Sequence, residues 1–158
     1  MVADNLAQIL WEQKTLLDEL EFRLEALELV ARAGRHNRIA KACQEVAVIR
    51  AQMDTLDDRR RKESAAYAAS LGIDPNSPLT EIAKKAPAEW ALTFTTTRVE
   101  MNEQLRRIEA LVGVLRGLLT QRLDLIDELL GGVLGVPNTY QANGTVDSKN
   151  FSLVSRIA

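Results

Sequence analysis

Apolar residues recur along this chain at alternating steps of four and three. From Leu6 the series runs Leu6, Leu10, Gln13, Leu17, Leu20, Leu24, Leu27 and Ala31, a heptad seam with one polar break. It predicts a first helix over about residues 5–33, ended by Gly34, the residue that most easily takes the left-handed conformation at a helix terminus. The stretch "AGRHN" then forms a tight connector. A second seam, Ile39, Ala42, Val46, Ile49, Met53 and Leu56, predicts a helix over about residues 37–71 that stops at Gly72. Within it "DDRRRKE" (57–63) holds no apolar residue before Tyr67 and Leu71 resume the pattern. Consecutive charges fan around a helix, so Arg59, Arg60, Arg61 and Lys62, flanked by acids, read as a solvated mid-helix segment rather than a nucleic-acid stripe.

After Gly72 comes "IDPNSP", where Ser77 and Pro78 suit the N-cap and first turn of a short helix near 78–85. Pro87 disfavours helical geometry at Ala86 and opens the next helix, with Glu89 in its first turn. That last helix carries the seam Phe94, Arg98, Met101, Leu105, Ile108, Val112, Leu115, Leu119, Arg122, Ile126, Leu129, and beside it a second row, Leu111, Leu118, Leu125. Two adjacent rows make a face wide enough for two neighbours at once, or for one neighbour and something outside the chain. Continued to Gly131 and Gly132, it would hold about 42 residues and measure about 60 Å, against about 42 Å for the first helix. "TFTTTR" (93–98) is a weak start, rich in β-branched residues, and predicts a kink or a later beginning. From Asn138 onward the chain is polar, which marks 136–158 as a flexible tail behind a helical domain over 1–135.

Composition sharpens this picture. Aromatic residues are 4% of the 158, charged residues 27% and hydrophobic ones 46%, a mixture that favours long helices over sheet. The expected fold class is all-α: an elongated antiparallel helical bundle or coiled coil of three long helices plus a short connector helix. A net charge of −2 supplies no field for gathering nucleic acid. No apolar run approaches the roughly 18–20 residues needed to span a bilayer, and the first twenty residues lack a signal peptide's basic and apolar regions. A cytoplasmic location without stable membrane insertion is the expectation. The single cysteine, Cys43, sits in an Ala/Val/Ile-rich stretch and reads as a small apolar filler.

Catalytic chemistry finds no foothold. The one histidine, His36, lies in the connector without a partner for a nucleophilic or metal constellation, and no phosphate loop or metal-ligand spacing occurs. No enzyme activity, metal or cofactor is expected. Gly113 and Gly117 mark either a close approach of another helix or a flexible joint. The candidate site is the apolar surface formed by Val112, Leu115, Leu118, Leu119, Leu125, Ile126 and Leu129, more than the shorter helices can cover. An amphipathic helix is its natural ligand.

The segment "LEFRLEALELVARAGRHNRIAKACQEV" (20–46) and the later "TYQANG" (139–144) resemble the flagellar export chaperones of the FlgN type, in particular their actinobacterial branch. The resemblance covers the layout of the whole chain, but Arg116 and Gly117 stand where family members often carry an asparagine ahead of the leucine pair. It implies a cytoplasmic chaperone of type III flagellar export that binds the C-terminal helix of hook-filament junction proteins and delivers them to the export gate without hydrolysing ATP. It also places gate docking on Tyr140, with Gly144 closing the same motif. The rival reading is a homodimeric coiled-coil adaptor that pairs through its long helix and has no export role.

Overall fold

The structure, a computed structural model, describes residues 1–119. They form α1 (Val2–Arg32), α2 (His36–Ser70), α3 (Leu79–Lys85) and α4 (Ala88–Leu118), an all-α bundle. α1 packs against both α2 and α4, and α3 lies mainly on α4. Because α1 serves two neighbours, its buried stripe is broader than one seam. Ile9 and Ala3 join Leu6, Leu10, Gln13, Leu17, Leu20, Leu24 and Leu27, while Ala31 is half-buried.

Directions follow from the cross-helix ion pairs. Arg59 donates to Glu12 at 3.1 Å and Arg23 to Glu45 at 3.0 Å, so α1 and α2 are antiparallel. Lys14 pairs with Glu100, and Arg107 donates to Glu21 at 2.8 and 3.2 Å, both pairs 86 positions apart, so α4 runs parallel to α1. These solvent-screened pairs mark the register more than they enforce it. α1 and α4 have 31 residues each, and the common offset makes them start and finish level.

The turns after α1 and α2 each hold a glycine in the left-handed region. Gly34 (φ 67°) follows α1, with Arg35 N–H donating to the Val30 carbonyl and Gly34 N–H to that of Ala31. Gly72 (φ 73°) repeats the arrangement after α2, through Ile73 to Ala68 and Gly72 to Ala69. Each pair of bonds satisfies carbonyls that a helix end leaves open. Beyond Gly72 the short α3 begins one residue later than Ser77 and Pro78 suggest, with Pro78 itself as the cap residue. Ala86 is extended ahead of Pro87, as the proline requires.

α4 starts at Ala88 and runs unbroken through "TFTTTR", against the expectation of a kink or late start. Packing overrides propensity there. Phe94 is wholly buried, stacked on Trp90 at 5.9 Å and met edge-on by Tyr67 of α2 at 5.8 Å. A ring so enclosed contributes about 1.5–3 kcal/mol, more than the few tenths lost at each β-branched position. Within the described residues α4 closes at Leu118 and matches α1 in length; the expected continuation to Gly131 and Gly132 lies outside them. Leu119 has left helical geometry (φ −115°, ψ 34°) just after Gly117, a residue that weakens a last turn.

The segment "DDRRRKE", expected to be solvated, turns two of its charges inward. Asp57 is 1% exposed and Arg60 6%, and the inward face of α2 runs without a gap through Met53, Asp57, Arg60, Ser64 and Tyr67. Arg60 donates from Nε (3.2 Å) and Nη2 (3.0 Å) to Asp57 Oδ1. Burial, helped by the neighbouring charge of Arg61, lowers the Arg60 pKa to about 10, which leaves it a cation at neutral pH. Gln13 of α1 lies at this level, next to the Glu12 that Arg59 reaches, and neither of its side-chain polar atoms finds a partner among the described residues. The bundle therefore has a polar layer in its middle. Asp57→Asn should lower the unfolding free energy by about 3 kcal/mol, because it strips a buried cation of its counter-charge. Asp58→Asn, at an exposed pair, should cost under about 1 kcal/mol; urea denaturation of the two variants reads the difference.

Candidate functional site

The pole where α1 and α4 both finish is where the candidate apolar surface begins. There α4 turns Ile108, Val112 and Leu115 into the core, with Leu119 still covered just past the helix. Val112 is 1% exposed, Leu115 0% and Leu119 6%, so the chain itself encloses three of the residues that the sequence assigns to a partner. Leu118 differs: it is 38% exposed. Leu125, Ile126, Leu129, Tyr140 and Gly144 lie outside the described residues.

Leu118 does not stand alone. Leu111 is half-buried one heptad earlier, and Val114, which the sequence reading passed over, is 41% exposed between them. The spacing 111, 114, 118 is a three-four step on the flank of the seam, so Val114 was open to discovery by the same periodicity that found its neighbours. The two rows thus divide. One closes the bundle against α1, and the other leaves it at the surface of α4.

Gly113 and Gly117 face open space, with nothing within 4 Å of where a Cβ would stand. No helix of the described chain approaches them closely, so of the two readings of this pair a contact inside the described bundle is removed. The chemistry of this pole is apolar and cationic: from Ala110 to Leu119 there is no carboxylate, and Arg116 closes α4. At the far pole a shallow cleft of about 420 Å³ opens between Val2, Tyr67, Leu71 and Trp90, lined by apolar side chains and without a constellation of acid, base and nucleophile. Among the described residues no group of three or more His, Cys, Asp and Glu side chains gathers in the manner of a metal site. His36 is the exposed first residue of α2, and Cys43 is buried. Among the described residues no helix is long and apolar enough to cross a membrane.

The described residues, a bundle of long helices with an exposed apolar row at the end of α4, have the form of a protein that holds other chains. The chain belongs to the FlgN family, whose model, described as FlgN protein, matches residues 1–148. Membership makes it a flagellar export chaperone by family, one of a group of chaperones rather than enzymes. Comparison with curated proteins and with solved structures returns no match.

The division of the two rows is measurable. Leu115→Ala should lower the unfolding free energy by about 2–5 kcal/mol through the cavity it leaves. Leu118→Ala should change it by less than about 1 kcal/mol. Denaturant titration of both variants compares them, and equal losses would mean that Leu118 is as enclosed as Leu115.

Proposed function

We propose that the chain works in the cytoplasm as a carrier in type III flagellar export, holding the C-terminal helix of a hook-filament junction protein. The contact row begins at Val114 and Leu118 and continues through Leu125, Ile126 and Leu129; Val112, Leu115 and Leu119 support it from the core. Tyr140 and Gly144, in the segment beyond, meet the export gate.

One observation carries this reading. Among the described residues α1 and α4 finish level, and Val114 and Leu118 of the flanking apolar row stand exposed at that end. The sequence supplies leucine and isoleucine for another ten residues past that point, and an amphipathic helix from another chain is the complement such a row takes. A client segment that orders only on binding would pay for its ordering at that step, which keeps affinity moderate and release feasible.

The burial of Leu119 decides which variants test this. Leu119→Glu would place a charge in the core and unsettle the bundle, whereas Leu118→Glu and Ile126→Glu in the full chain should leave far-UV circular dichroism unchanged. Both should weaken junction-protein binding by at least about tenfold, a loss of some 1.4 kcal/mol. Wild-type affinity in both would remove the row from the contact. Truncation after residue 136 should spare that binding and abolish export of the junction protein; normal export would refute the role given to Tyr140.

The homodimeric adaptor has its own observation in its favour. Trp11, Phe22 and Leu29 are 60%, 59% and 69% exposed and fall along one line of α1. Light scattering at low micromolar concentration should find a monomer. A stable dimer would move the assignment to the adaptor.

A further inference from the structure

The turn joining α1 to α2 lies at the same pole as the end of α4, and its charge is one-sided. From Leu29 to Gln44 the chain has no aspartate or glutamate, yet it holds Arg32, Arg35, Arg38 and Lys41, with His36 between them. All are exposed. Arg32 is bonded by Glu28 at 2.8 Å, whereas Arg35, Arg38 and Lys41 have no carboxylate partner among the described residues. The last ten described residues, at the end of α4 beside them, contribute no acid, and the one cation there, Arg116, is half-buried. In a chain of net charge −2 this is a segregated patch of cations.

The arrangement also opposes the local electrostatics. α2 begins at His36 without a side-chain cap and without an acidic residue in its first turn. The N-terminus of a helix already carries positive partial charge, so Arg35 and Arg38 add to it where an anion would offset it. The patch stabilises neither the turn nor the helix, and an anionic partner would relieve it.

We propose that this basic turn receives acidic residues flanking the apolar face of the client helix, and so defines the partner as an amphipathic helix with a carboxylate-rich end. The assignment rests on the client-binding reading above. A helix laid on the row that leaves the bundle at Leu118 has one end beside this turn, because Arg32 and Leu118 are level. A few cations in a net-negative chain suit a short acidic cluster better than the long phosphate track of a nucleic acid.

The test compares binding of purified junction protein from the same cells to the full-length chain and to its Arg35→Gln/Arg38→Gln/Lys41→Gln variant, at about 50 and 500 mM salt. The wild type should bind about tenfold more tightly than the variant at low salt and lose that advantage at high salt. Arg35→Lys/Arg38→Lys, which keeps the charge, should bind as the wild type does. Equal affinity and equal salt response in the triple variant would overturn the acidic-end assignment and leave the apolar row standing, while Ile126→Glu still abolished binding. Absence of binding by the wild type would overturn both. Capture of phosphatidylglycerol vesicles by the wild type but not the triple variant, with unchanged junction-protein affinity, would give the patch to lipid and refute the proposal.

Discussion

The leucine seam of α1 is the contact on which the rest of the molecule depends. A single helix, apolar at Leu6, Leu10, Leu17, Leu20, Leu24 and Leu27, is packed by α2 in one direction and by α4 in the other. For α4 to lie parallel to α1, the chain must return along α2 and then turn over the starting pole through the segment that holds α3. The aromatic group of Tyr67, Trp90 and Phe94 closes that pole and joins α2 to α4 where they meet. Removing apolar area from the α1 seam would loosen two interfaces together, since each burial there is shared.

The polar layer at Gln13, Asp57 and Arg60 interrupts this seam at mid-height. An ion pair in such a place is a poor source of stability, because desolvating both charges consumes most of their attraction. Its effect falls on register. If α2 slid by one heptad along α1, Arg60 and Asp57 would face leucine, and the penalty for a buried charge against hydrocarbon would exceed what any seam contact returns. The layer, unlike the leucines, makes neighbouring alignments unequal in energy.

Much of this architecture was legible in the chain because heptad periodicity carries burial directly. The seams of α1 and α4 predicted nearly every enclosed side chain, and Gly34, Gly72 and Pro87 marked where helices stop and start. Charge concealed the rest. The inward face of α2 keeps its three-four step through Asp57, Arg60 and Ser64, but a reading that equates inward with apolar loses the step where polar residues occupy it. The candidate site was half legible for a related reason. Periodicity says that Leu115 and Leu118 are both on apolar rows, but only the position of α1 decides which row is covered. Val114 escaped notice although it shares the exposed row with Leu118.

The equal lengths of α1 and α4 have a geometric consequence. Over the described residues α1 and α4 run side by side for about 46 Å, with one end aromatic and the other rich in cations. The two ends of the described bundle differ in chemistry, so a carboxylate-bearing partner has reason to choose one end over the other.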